Sequence, residues 1–136
     1  MNFRGYISSR KLEDNNLIDQ SVQNLVIRKA CDKRGFVYML SATEYGMKNC
    51  FLMLNQVIQD LSKGKCDGIA LYSIEQLPKD LKIRNRIYQV VVKHKKKILI
   101  SLEDILIENK KDIKSFENLI KIKFLLNYCP TKFNIK

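Results

Sequence analysis

Ser8, Ser9 and Arg10 stand together at the end of a short apolar run, residues 3–7. Two hydroxyls and a guanidinium in that order suit a phosphate or carboxylate. Arg10 would grip the anion with its two-pronged fork while Ser8 or Ser9 donates a hydrogen bond. The alternative is that the two serines satisfy free backbone groups at a strand terminus. A second group, Ser41, Thr43 and Glu44 with Tyr45 beside it, follows the apolar run 36–40. A carboxylate among hydroxyls can act as a general base or hold other hydroxyls, so Glu44 and Ser9 are the candidate catalytic residues. Tyr45 would stack on a ring or pack in the core. Tyr72 and Ser73 follow the run 68–71, and Glu103 and Asp104 follow the run 98–100. The two acids would supply a further carboxylate or cap the next segment.

Groups this far apart in sequence meet only if the fold brings them together. The four apolar runs read as strands buried on both faces of a parallel sheet. Helical patterns separate them, at 21–30, about 48–62, 78–91 and about 112–128. Strands alternating with helices give a three-layer, doubly wound α/β fold of flavodoxin-like topology. In such sheets ligands sit beyond the carboxyl ends of the strands, so the four polar tips converge on one rim. The first helix should point its N-terminal end at that rim. It brings Gln23, Asn24 and Arg28, with Ser21 as the expected cap and Val22, Leu25, Val26 and Ala30 as the expected apolar stripe. The spacing predicts one domain over 1–136, with a core at about 3–128 and a short basic tail at 129–136.

Other chemistries find no support. His94, inside a lysine run, is the only histidine, so no Ser-His-Asp triad can be built. There is no G-x-G-x-x-G and no Gly-rich phosphate loop, and no cofactor is expected. Four cysteines without a C-x-x-C pair argue against a zinc site, and no metal ligands are assigned. No run approaches a membrane span and no leader opens the chain, so the expected compartment is the cytoplasm. The net charge of +11, from 25 Lys and Arg against 14 Asp and Glu, is either the footprint of a polyanion-binding surface or a compositional bias towards lysine.

The order of elements resembles the catalytic domain of serine recombinases of the resolvase–invertase type. Gly5-Tyr6 stands at the opening strand, Gln23 on the first helix, and Glu75-Gln76-Leu77-Pro78-Lys79 where that family carries an acidic-Arg-Leu-x-Arg segment. The match is partial. The family places x-Arg-x-Ser after the tyrosine, whereas here the order is Ile7-Ser8-Ser9-Arg10, and Gln76 and Lys79 replace both later arginines. Those arginines hold the scissile phosphate, which a lysine does less well.

Nearly the whole chain also resembles sporadic carbohydrate cluster proteins of bacterial surface-carbohydrate gene clusters. The residues carrying this are the 5–10 segment, the 22–28 segment, Leu40 to Tyr45, Asp67-Gly68-Ile69, Tyr72-Ser73 with Gln76-Leu77-Pro78, and Leu102-Glu103-Asp104. That resemblance implies a protein of O-antigen or capsule assembly, with a sugar phosphate or nucleotide sugar as partner at the rim. Arg10, Ser8 and Ser9 would then hold the anion, and Glu44, Ser41, Thr43 and Tyr72 the sugar. Two other readings stay open. One is a nucleic-acid-binding protein on a degenerate recombinase fold, without strand cleavage. The other is a non-catalytic adaptor. A homodimer through the last helix is expected on the same footing.

Overall fold

The computed structural model of the chain describes residues 1–8, 18–44 and 51–128. Five strands form one sheet in the order β2-β1-β3-β4-β5. They are β1 (Asn2–Ser8), β2 (Val37–Glu44), β3 (Gly68–Leu71), β4 (Lys97–Ile100) and β5 (Ile105–Ile107). The first four are parallel, as their near-continuous apolar runs predict. β5 runs antiparallel to β4, pairing Ile100 with Ile105 and Ile98 with Ile107. The sequence reading placed no strand there.

The helices are α1 (Gln20–Lys33), α2 (Leu52–Ser62), α3 (Leu81–Lys93) and α4 (Lys110–Tyr128), with a short 3-10 turn at Ile74–Gln76. Side chains alternate across the pleat and build two cores. Tyr6, Ile69, Leu71, Ile98 and Ile100 point to one face, where Leu54, Val57, Ile87, Val91, Phe116 and Ile120 bring α2, α3 and α4 against them. Phe3, Ile7, Ala70 and Leu99 point to the other, under Ile27, Ala30 and Cys31 of α1. The sheet is thus covered on both sides, and the expected doubly wound α/β architecture stands.

Several local expectations change. The buried face of α1 is Gln23, Ile27, Ala30 and Cys31, while Val22 and Leu25 lie exposed. Of the expected stripe, Ala30 is buried and Val26 packs against the same core, while a polar residue, Gln23, takes the N-terminal end of the buried face. Asp19, not Ser21, holds the N-cap position, and it makes no side-chain cap bond. β2 extends through Ser41, Ala42, Thr43 and Glu44, so that segment is strand and not a loop beyond it. It absorbs a bulge, Arg4 pairing with Met39 but Tyr6 with Ala42. Asp80 caps α3 by accepting from the Lys82 N–H.

Candidate functional site

The polar ends of β1 and β3 meet at the C-terminal edge of the sheet, where an amide relay joins them. Gln23 reaches β1 from α1. Its Nε2 donates to Ser8 O at 2.7 Å and to Ile18 O at 2.8 Å, and its Oε1 accepts from Ser8 N at 3.0 Å. Gln76, from the turn after β3, donates its Nε2 to the same Gln23 Oε1 at 2.6 Å. The Oε1 of Gln76 accepts from Tyr72 N at 2.7 Å. Gln23 is 2% exposed and Gln76 4%, so each bond is made away from water, where an unmade one is expensive. The relay ties α1, the end of β1 and the end of β3 into one unit.

Glu44 does other work. Its carboxylate accepts from the Met53 N–H at 3.0 Å and the Leu54 N–H at 3.4 Å, both in the first turn of α2, and from Tyr6 Oη at 3.2 Å. It is 3% exposed. A carboxylate at a helix N-terminus satisfies orphan donors and complements the positive end of the dipole. In place of a base facing a sugar, the geometry gives Glu44 the cap of α2. Ser73 and Glu103 form a third unit. Ser73 Oγ donates to Glu103 Oε2 at 3.2 Å and accepts from Glu75 N, while Ile74 N donates to Glu103 Oε1 at 3.3 Å. Tyr72 and Ser8 are buried at 7% and 2%. Ser101, at the tip of β4, buries an Oγ that finds no hydrogen-bond partner among the described residues.

Other candidates gather elsewhere. Tyr38 of β2 donates its hydroxyl to Asn24 Oδ1, and the Arg28 guanidinium sits 5.6 Å from the Tyr38 ring centre. Burial pushes the Tyr38 hydroxyl's pKa up, opposed by a hydrogen bond with Ser41 and by the Arg28 charge. Asn24, Arg28 and Ser41 therefore surround an aromatic ring on the α1 face and take no part in the relay. Thr43 pairs with Ile7 in the β1–β2 ladder. Asp104 lies in a left-handed turn (φ 57°) and binds Lys33 and Arg34. Those bonds hold its carboxyl below the usual carboxylate range. Ser9, Arg10 and Tyr45 fall outside the described residues. No cluster of three or more His, Cys, Asp or Glu among the described residues could hold a metal ion.

Beside the rim lies an ion pair the sequence reading did not single out. Arg84 is 6% exposed. It holds Glu117 of α4 through Nε at 2.9 Å and Nη2 at 2.8 Å, and its Nη1 donates to the carbonyls of Pro78 and Lys79. Tyr88 also donates to Glu117. Burial works to raise the Glu117 pKa, but the bonds from Arg84 and Tyr88 prevail and hold it below the ordinary range. Residues 78 and 79, which follow the rim turn, are thereby tied to α3 through Arg84, itself held by Glu117 of α4. A helical Arg and a Glu 33 residues apart carry no spacing signal, which is why the sequence concealed them.

The relay and the caps position strand ends and helix ends. Gln76 stands where the recombinase pattern has an arginine, and its amide is engaged by Tyr72 and Gln23.

No family model matches the chain, and no curated protein sequence matches it. Several solved structures share its fold, and two of them are recombinase-type proteins. One is a resolvase family site-specific recombinase from Streptococcus pneumoniae, with a TM-score of 0.64 and 11% identity, covering 96% of this chain and 93% of that one. The other is the N-terminal catalytic domain of TP901-1 integrase, with a TM-score of 0.58 and 14% identity, covering 97% of this chain and 99% of that one. The resemblance to the resolvase-type fold holds. The carbohydrate-pathway reading, with its sugar phosphate or nucleotide sugar, does not: the fold's neighbours are recombinase and integrase catalytic domains. Among the described residues, no helix is long and apolar enough to cross a membrane.

Proposed function

We propose that the chain is a nucleic-acid-binding protein on a recombinase-type scaffold that does not cleave strands. The observation that carries the reading is a net charge of +11 on a fold shared with recombinase and integrase catalytic domains. Such an excess attracts the phosphate backbone by releasing its counterions. Two features argue against cleavage. Gln76 takes an arginine's place and is held by the relay, so it offers no charge to a scissile phosphate. The Ser8-Ser9-Arg10 order also departs from the recombinase pattern. A second copy of the chain fits this reading as a partner for α4, where Leu119 and Ile122 are exposed at 38% and 55%.

The test is a titration of labelled duplex DNA at about 50 mM salt, with supercoiled plasmid incubated in parallel. Binding without nicked or covalently tagged plasmid is expected. Nicking would remove the non-cleaving part of the reading, and absence of binding would remove the whole.

A further inference from the structure

Three short turns close α1, α2 and α3 in the same way, and the third breaks the rule of the other two. After α1 and α2 the left-handed residue is a glycine, Gly35 at φ 73° and Gly64 at φ 77°. Glycine reaches that region without a Cβ penalty and is the usual choice just past a helix. After α3 the equivalent residue is Lys95, at φ 55°. The chain keeps an exposed lysine at a position where glycine would be less strained.

Lys95 lines a groove of about 560 Å³ between the α3–β4 turn and the start of α4. Lys96, Lys97, Lys110 and Lys111 line it too, against one carboxylate, Glu108. That carboxylate is already bound by Lys97. The next acid, Asp112, folds back to accept from the Glu108 N–H at 3.0 Å. Lys95, Lys96, Lys110 and Lys111 make no ion pair among the described residues. The groove lies where β4 begins and β5 ends, at the opposite end of the sheet from the Ser8 and Ser73 tips. Its only apolar lining is the half-buried Val92. An aromatic platform for stacking single-stranded bases is missing from the lining, as are the large apolar side chains that anchor a basic surface in a bilayer. Lysine ammonium groups alone read phosphate charge, not base edges.

Resting on the nucleic-acid reading above, we infer that this lysine groove is a docking site for the phosphate backbone of duplex nucleic acid. It binds without sequence preference and on the end of the sheet away from the strand-tip rim.

The experiment is fluorescence anisotropy with a mixed-sequence duplex over a salt series. It compares the wild type, Lys95→Gly, Lys96→Gln/Lys111→Gln, and a charge-matched control, Lys29→Gln/Lys82→Gln, at exposed positions on α1 and α3. The groove double variant should weaken binding at least about tenfold at low salt and flatten the log–log salt slope by about 2, near one unit per lost phosphate contact. Lys95→Gly should raise the thermal unfolding midpoint while lowering affinity, a combination that a purely structural residue would not give. The control should bind like the wild type. Wild-type binding with an unchanged slope in the double variant would overturn the groove and leave the nucleic-acid reading intact. Wild-type protein that ignores duplex at about 50 mM salt would overturn both. Binding to phosphatidylserine vesicles but not to duplex would overturn the inference in favour of a membrane surface.

Discussion

Gln76 Nε2 donates to Gln23 Oε1 at 2.6 Å, joining two buried amides 53 residues apart in sequence. Through this bond the turn after β3 and the first helix hold the end of β1 between them. Gln23 fills its donors and acceptor with four protein bonds, so removing its amide strands several buried partners at once. Each unsatisfied buried group costs about 1–3 kcal/mol. Gln23→Leu keeps the volume and removes the bonds, and should destabilise by roughly 3 kcal/mol or more in urea unfolding. Gln76→Leu should cost less, and the double variant less than the sum, because the two share partners. Additive losses would mean that the relay is not a unit.

Glu44 caps α2 with a carboxylate that also binds Tyr6. Replacing it by alanine removes acceptors for two first-turn N–H groups and a favourable charge at the helix N-terminus. The expected loss is about 1–2 kcal/mol. Glu44→Gln keeps one acceptor oxygen but loses the charge and the second acceptor, so it should fall between wild type and alanine. Amide hydrogen exchange locates the effect. Met53 and Leu54 should lose protection first in Glu44→Ala, and unchanged protection there would rule out the capping role.

Glu117 carries a pH dependence whose sign follows from its depressed pKa. Its folded value lies below the ordinary ~4.3 of an unfolded glutamate. The Arg84 pair therefore adds stability above that unfolded value and loses it as pH falls through the folded one. Glu117→Gln should unfold more easily than wild type at neutral pH, and the difference should shrink towards pH 3. Breaking a pair with Arg84 at 7% and Glu117 at 16% side-chain exposure costs about 3 kcal/mol, or on the order of 10 °C in midpoint. A gap that stays constant from pH 7 to pH 3 would show that the charge is not what stabilises.

These residues also mark where sequence reasoning stops. The four parallel strands were legible because double-sided burial leaves an apolar run with a polar end, as in Ile98-Leu99-Ile100 before Ser101. β5 was not, because Ile105-Leu106-Ile107 is three residues long and its partner follows from a tight turn at Asp104, not from its own composition. The polar rim was legible as a place. The partners of each group were not, since a carboxylate such as Glu44 reads alike whether it faces solvent or the N-terminus of α2. The same holds for α1, where hydrophobic counting favours Val22 and Leu25 while hydrogen bonding buries Gln23. The lysine groove joins residues 95–97 to 110–111, two charge runs that only the antiparallel β4–β5 pairing brings side by side.

Gly5 meets the aromatic ring of Tyr38, and that contact sets a steric limit on β1. A Cβ at position 5 would lie 2.4 Å from both Cε1 and Oη of Tyr38, well inside contact distance. The ring is held by Asn24 at its hydroxyl and by Arg28 over its face, so it cannot swing aside without breaking those bonds. Gly5→Ala should therefore cost about 1–3 kcal/mol, the range for overpacking. In a Tyr38→Val background the obstruction is gone and the same substitution should be nearly neutral. A double-mutant cycle measured by urea unfolding separates clash from backbone propensity. Strong coupling places the penalty in the ring. An equal cost in both backgrounds would put it in the strand itself, and the packing of Tyr38 across β1 would not be what requires glycine there.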